Sequence, residues 1–97
     1  YEFVEIAAIV YAQAEGAYTH VFLNTKRKLV ISKTLSDIEE MLPATQFQRI
    51  HHSTLINLSH VTHFFKTDGG YVVLDNGEKL IVSKSKKEDL LERLGLK

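Results

Sequence analysis

The chain has 97 residues, of which 44% are hydrophobic and 25% charged, and it contains no cysteine. This length suits one domain with one modest core, and the composition excludes a disulfide framework, a thiolate metal site and a membrane-spanning helix of roughly 20 apolar residues. The formal net charge of zero argues mildly against nucleic-acid binding, because attraction to phosphates usually needs a basic surface.

Three strands are predicted before the first helix. Residues 4–13 begin with an apolar run, and Gly16 then allows a turn. Residues 18–23 alternate with a period of two and are rich in β-branched and aromatic side chains, which favours a strand. A polar turn follows, and residues 29–32 are predicted to form the return strand.

A helix is predicted to begin at Thr34. Asp37 follows at the spacing of a capping box, with aspartate in place of the usual glutamate. Pro43 is predicted to end the helix, because proline disfavours the helical conformation of the residue before it. Three residues at helical spacing form one apolar stripe: Leu35, Ile38 and Leu42.

The second half of the chain predicts three further strands, at residues 61–66, 71–74 and 78–83. Asn76 and Gly77 separate the last two, and this pair favours a type I′ hairpin turn because both residues tolerate positive φ. The pattern as a whole predicts a mainly β domain of antiparallel sheets with two short helices.

A second helix is predicted near the C-terminus. Ser85 and Glu88 have the spacing of a second capping box, and Gly95 occupies the position of a C′ glycine. The apolar face of this helix is expected to consist of Leu90, Leu91 and Leu94.

Residues 47–57 combine apolar ends with a polar centre. Such a segment is either a buried hydrogen-bond network or a surface that contacts a polar partner. In extended backbone, alternate side chains point to opposite faces. This alternation predicts Arg49, His51 and Ser53 on one face, and it places His51 and His52 on opposite faces.

Catalysis and metal binding find little support. Ser53 lies near two histidines, but the segment lacks a G-x-S-x-G elbow and an acid to orient a base. His60 and His63 have ligand spacing on a helix, but on a strand they would face opposite sides. We therefore predict no enzyme, no metal and no cofactor. The residues themselves leave two functions open: a nucleic-acid-binding domain and a β-rich protein-interaction module.

Four blocks in order, at residues 9–19, 34–42, 47–58 and 74–84, resemble a known family. They are similar to the family motifs I-x-Y-I-E-A-x-G-N-Y-T, T-L-x-x-L-E-x-x-L, F-x-R-I-H-R-S-x-I-V-N and L-x-N-G-x-x-L-P-V-S-R. The chain is thereby identified as a member of the LytTR family, the DNA-binding domain of bacterial response regulators of the LytR/AgrA type. The blocks cover nearly the whole chain.

The resemblance implies an elongated fold of small packed antiparallel sheets. It implies that loops and strand ends, rather than a recognition helix, enter successive major grooves on one side of a bent duplex. Carried over by matching, the base contacts are expected at Tyr18, Thr19, His52 and Lys84. His52 stands where the family often has arginine or asparagine, and Lys84 stands where the family often has arginine. The preferred DNA sequence is therefore expected to differ from that of relatives.

The remaining candidate residues divide into two groups. His51, Ser53 and Asn57 are expected to be structural and to satisfy backbone groups beneath the surface. The residues expected to contact phosphates are Arg49, Lys26, Arg27, Lys28, Lys86 and Lys87. For Arg49, structural pairing within the protein is an equally open alternative.

The resemblance also implies partners and setting. We expect one domain over residues 1–97, the C-terminal effector of a longer cytoplasmic bacterial regulator, bound to double-stranded DNA and not to a membrane. Because a module this small buries limited surface on DNA, we expect pairs on repeated half-sites. A receiver domain outside this sequence would supply the dimer contact.

Overall fold

The computed structural model describes residues 4–96. Short 3-10 helices lie at Ile6–Ala8, Leu58–His60, Thr67–Gly69 and Lys84–Lys86. The strands and α-helices of this part of the chain are β1 (Ile9–Glu15), β2 (Tyr18–Leu23), β3 (Lys28–Ile31), α1 (Leu35–Met41), β4 (Phe47–His51), β5 (Thr54–Asn57), β6 (Val61–Phe65), β7 (Tyr71–Leu74), β8 (Lys79–Ile81) and α2 (Lys87–Arg93).

The strands form two antiparallel sheets. The larger has the order β3-β2-β1-β5-β4, and the smaller has the order β6-β7-β8. The molecule measures 40 × 24 × 22 Å along its principal axes. The predicted fold class, an elongated and mainly antiparallel β domain with two short helices, is confirmed. Neither α-helix of the described part is long and apolar enough to cross a membrane.

The larger sheet is covered on both faces, which explains why β1 begins with four consecutive buried residues. A bulge between Ile9 and Tyr11 interrupts the alternation of that strand. Val10 and Tyr11 therefore pack toward the smaller sheet and α2, whereas Ile9 and Ala12 pack toward α1. The ring of Tyr11 stacks on Phe22 at 4.2 Å between centroids.

The first strand begins later than predicted, since Ile6–Ala8 forms a 3-10 turn before β1. The predicted β7–β8 hairpin exists, but its turn is not type I′. Gly77 has φ +88°, whereas Asn76 is not among the residues with positive φ. The Gly77 amide donates to the Leu74 carbonyl, and the Leu74 amide donates to the Glu78 carbonyl. This pattern is a turn followed by a glycine bulge.

The N-terminus of α1 is confirmed as a capping box. The Asp37 amide donates to the Thr34 hydroxyl at 3.1 Å, and the Thr34 amide donates to the Asp37 carboxylate at 3.4 Å. Leu35 and Ile38 are buried against the larger sheet. The helix is therefore fixed both at its end and along its apolar face.

The predicted capping box of the last helix is wrong. Residues 84–86 form a 3-10 turn, and α2 begins at Lys87 without a side-chain cap. The C-terminal prediction is confirmed, because Gly95 has φ +73°. The Gly95 amide donates to the Glu92 carbonyl and the Leu96 amide donates to the Leu91 carbonyl, which together form a Schellman motif.

Replacing Thr34 with alanine removes the acceptor for the Asp37 amide. We expect the free energy of unfolding to fall by about 1 kcal/mol. Urea denaturation followed by circular dichroism measures the change, and a Glu40→Gln variant at an exposed position of the same helix serves as the control for surface substitution. An unchanged midpoint for Thr34→Ala would show that the cap contributes nothing to stability.

Candidate nucleic-acid interface

The β4–β5 turn depends on a bulge that the sequence pattern does not predict. Arg49 pairs with Leu55 and His51 pairs with Thr54, so Ile50 is an extra residue in β4. Ile50 is fully buried between the two sheets. The bulge breaks the predicted alternation: Arg49 contacts α1, whereas His51 lines a cavity together with residues of β8.

The two adjacent histidines lie side by side, and the prediction of opposite faces is wrong. Their ring centroids are 4.2 Å apart, with 38° between the ring planes. Nδ1 of His51 accepts the Ser53 amide at 3.3 Å and lies 3.0 Å from the Ser53 hydroxyl. His51 is half-buried and His52 is exposed. His51 thus closes the turn, as the structural role predicted for it requires, and His52 is displayed at its tip.

Arg49 lies beneath this turn rather than outside it. Its guanidinium donates to the His52 carbonyl at 2.7 Å and forms an ion pair with Glu39 of α1 at 2.9 Å. Only 17% of the side chain is exposed. Its donors are therefore directed at protein groups, which leaves the predicted phosphate contact without support in the geometry.

Backbone hydrogen bonds join three segments at one end of the larger sheet. The Ala14 amide donates to the Ser53 carbonyl, and the Ser83 amide donates to the Ile50 carbonyl, both at 2.8 Å. We call this the candidate end. It consists of the β1–β2 turn with Tyr18, the β4–β5 turn with His52, and residues 83–86 with Lys84.

The two neighbouring residues predicted as base contacts in β2 have different surroundings. Tyr18 is 51% exposed, next to Gly16, whose φ of +61° shapes the β1–β2 turn. Thr19 is fully buried, and its hydroxyl donates to the Lys33 carbonyl at 2.7 Å. The assignment of Thr19 to base contact is therefore corrected: its hydroxyl is inside the fold, where it attaches the segment after β3 to β2.

The basic side chains near the candidate end differ in how accessible they are for contact with DNA. Lys84 is exposed and Lys86 is half-buried. Lys87 lies against the smaller sheet, where a Cβ placed on Gly70 would be 2.9 Å from Lys87 Cε. Lys33 is exposed at the same end, next to the bond from Thr19. Lys33 was not among the predicted phosphate contacts, although an antiparallel β2–β3 pair already requires the end of β3 to lie near Tyr18.

The predicted phosphate contacts Lys26, Arg27 and Lys28 lie at the opposite end of the larger sheet. They form the β2–β3 turn and the start of β3, so the length of β2, about 17 Å for six residues, separates them from Tyr18. Lys26 and Arg27 line a cavity there with Glu78. At this end, burial and the nearby Glu78 charge raise the pKa of Tyr11 to about 12.

Three acids close to the candidate end have partners within the protein. Glu15 lies 3.0 Å from the His20 ring, and Glu39 is paired with Arg49. Asp37 accepts from the helix N-terminus. Of these contacts, the ion pair of Glu39 with Arg49 offsets a full negative charge near the candidate end, although the whole chain carries no net charge.

Asn57 has the structural role that was predicted for it. It is fully buried, its side-chain amide donates to the Ile9 carbonyl at 2.9 Å, and its side-chain oxygen accepts the Ser59 amide at 3.0 Å. Asn57 thereby joins the end of β5 to the start of β1.

The fold and the exposed turns define a β-type DNA-binding module. The family model of the LytTr DNA-binding domain matches residues 1–95, and the chain belongs to this family. The solved LytTr DNA-binding domain of a putative methyl-accepting/DNA response regulator from Bacillus cereus has a TM-score of 0.85 and 26% identity, over 95% of this chain and 85% of that chain.

Curated relatives share the same region. The CO-responsive transcriptional regulator RcoM of Rhodospirillum rubrum is 35% identical over 77 residues, which are 78% of this chain and 32% of that protein. The heme-containing CO-sensing transcriptional regulator RcoM 2 of Paraburkholderia xenovorans is 29% identical over 96% of this chain and 36% of its own length. The sensory transduction protein LytT of Enterococcus faecalis is 37% identical over 65% of this chain and 27% of its own length. The chain thus spans about a third of the length of these relatives.

Replacing Thr19 with valine separates a structural role from a role in base contact. Because the buried hydroxyl loses its bond to Lys33, we expect a loss of stability of about 1 kcal/mol with no change in the preferred DNA sequence. Urea denaturation measures the first, and selection from a randomised duplex library measures the second. A changed base preference at unchanged stability would return Thr19 to the group of base contacts.

Proposed function

We propose that this chain is the sequence-specific DNA-contacting effector domain of a bacterial transcriptional regulator and that it is not an enzyme. One observation carries the proposal. Three exposed side chains, Tyr18, His52 and Lys84, lie on three segments that backbone hydrogen bonds hold together at the candidate end. Side chains held rigidly in this way suit contact with base edges. Base edges carry the sequence information of DNA, which contacts to phosphates do not read.

Each of the three side chains brings a different chemistry. The neutral ring of His52 can donate or accept one hydrogen bond at a base edge. Lys84 can donate to O6 or N7 of guanine, but it lacks the bidentate fork of arginine. The Tyr18 hydroxyl both donates and accepts, and its ring offers apolar surface to a thymine methyl group.

The spacing of these segments fits a groove-spanning contact. From β2 across β1, β5 and β4 to the segment at Ser83 there are four lateral steps, or about 19 Å. Successive major grooves on one side of a duplex are about 34 Å apart. The outer side chains supply part of the difference, and a bend of the DNA toward the protein supplies the rest. Contact with two successive major grooves would therefore require a bent duplex, as the family resemblance implies.

Phosphate contacts are assigned to cations of the candidate end. Lys33 and Lys86 are the first choices, and Lys87 is a weaker one because its side chain lies over Gly70. Lys26, Arg27 and Lys28 are about one strand length away, so they are proposed to remain outside the contact. Few cations and a net charge of zero predict modest nonspecific affinity.

Because the domain has few cations at the candidate end, binding of two linked domains to the same DNA would raise the affinity for DNA. One module buries roughly 600–1,000 Å² of protein surface on DNA, and linking two modules raises the effective concentration of the second. We propose binding to repeated half-sites, driven by a signal-receiving part elsewhere in the regulator. A receiver domain that dimerises on phosphorylation is one such part, and the names of the RcoM relatives indicate a heme-containing CO sensor as another.

Base contacts and phosphate contacts are expected to respond differently to substitution. A duplex selected from a randomised library serves as the probe, with a scrambled duplex as the nonspecific reference. His52→Ala and Lys84→Ala should each cost about 1–3 kcal/mol on the selected duplex and relax its sequence preference. Lys86→Ala should weaken binding to both duplexes alike and reduce the salt slope by about 1.

Lys28→Ala is the matched control, because it removes the same charge from the opposite end. Fluorescence anisotropy over a range of salt concentrations measures all four variants. Equal losses for Lys28→Ala and Lys84→Ala would contradict the assignment of the interface to the candidate end. A wild-type domain that selects no sequence would remove the proposed function itself and favour the protein-interaction alternative.

A further inference from the structure

Arg49 connects α1 to the turn that carries His52. We propose that Arg49 and Glu39 form a positioning pair that sets the orientation of His52, and that Arg49 does not contact DNA. This inference rests on the proposed function and deepens it. It assigns sequence discrimination partly to a helix that is not itself placed against the DNA.

The geometry distributes the guanidinium between two elements. Nη1 donates to the carbonyl of His52 at 2.7 Å. Nε lies 3.1 Å and Nη2 lies 2.9 Å from the same carboxylate oxygen of Glu39. Nη2 also lies 3.3 Å from the hydroxyl of Ser36, one turn earlier on α1. Nη1 of the guanidinium therefore holds the β4–β5 turn, whereas Nε and Nη2 attach the guanidinium to α1.

The bond to His52 acts on the backbone of the base-contacting residue itself. A carbonyl held in place restricts ψ of His52, and the residue follows a bulge, where the regular ladder of β4 is interrupted. The planar guanidinium keeps its donors in a fixed relation. Because α1 is capped at Thr34 and buried through Leu35 and Ile38, the far side of this link is rigid.

A phosphate contact would compete with these bonds. To reach a phosphate, Arg49 would have to release the His52 carbonyl or leave Glu39 unpaired near the DNA. The two roles therefore predict opposite effects for Glu39. If Arg49 contacts phosphate, removing the Glu39 charge frees the arginine and strengthens binding to all DNA. If the pair positions His52, removing Glu39 lowers discrimination between DNA sequences.

Arg93, at the end of α2, provides a control because it bonds to the same strand that Arg49 belongs to. Its guanidinium donates to the carbonyls of Phe47 and Ala44 at 3.0 and 2.6 Å, at the other end of β4 from His52. Replacing Arg49 with methionine removes a bond to one backbone carbonyl, and replacing Arg93 with methionine removes bonds to two. Only the substitution at Arg49 is expected to change sequence discrimination.

The experiment measures the ratio of affinities for the selected and the scrambled duplex in the wild type and in Arg49→Met, Glu39→Ala and Arg93→Met. We expect this ratio to fall roughly tenfold in Arg49→Met, which corresponds to the free energy of about one charge-assisted hydrogen bond. Glu39→Ala is expected to lower the ratio in the same direction. Arg93→Met should lower the urea midpoint and keep the ratio. The salt slope should stay constant in all three variants.

Three results would overturn the proposal. One is an equal loss on both duplexes with a smaller salt slope in Arg49→Met, which is the signature of a phosphate contact. Another is tighter binding or an unchanged ratio in Glu39→Ala, which decides the question even if Arg49→Met does not fold. The third is an equal loss of discrimination in Arg93→Met. Failure of the proposed function appears separately, as a wild-type protein without discrimination.

Discussion

The structure of the candidate end depends on the bulge at Ile50. The extra residue turns its side chain into the core between the sheets, and its carbonyl accepts the Ser83 amide beside Lys84. The bulge also places Arg49 toward α1, from where it holds the His52 carbonyl. A single irregularity in an edge strand thus connects two of the exposed segments, and bulges commonly serve to redirect side chains in this way.

The same arrangement explains how a chain without net charge can serve as a DNA-binding domain. Glu15 and Glu39 are held by neighbouring side chains, while Lys33, Lys84 and Lys86 remain at the end of the sheet. At the proposed interface, attraction to phosphates would therefore be local and modest, and discrimination between DNA sequences would come from the fixed geometry of the turns. Weak attraction to any DNA sequence, combined with base-contacting side chains in fixed positions, supports the proposal that the domain acts in pairs.

Much of the fold follows from local sequence signals, and much of the site does not. The capping box at Thr34 and the glycine at Gly95 identify two helix ends through short-range hydrogen bonds. The bulges at Val10 and Ile50 depend on which residues the opposite sheet can accept, so period-two reasoning failed for His51 and His52. Lys28 was likewise predicted as a phosphate contact and Lys33 was not, because strand pairing, which local sequence does not reveal, decides which end of the sheet each residue occupies.

We propose that DNA binds at one end of the larger sheet, and the chemical shifts of backbone amides provide a direct test. A titration of the ¹⁵N-labelled domain with a selected duplex, followed by two-dimensional NMR, should shift the amides of residues 14–19, 50–54 and 83–86. The amides of residues 24–28 and 75–78, at the opposite end, should stay in place. Large shifts at residues 24–28 with none at residues 50–54 would contradict the account.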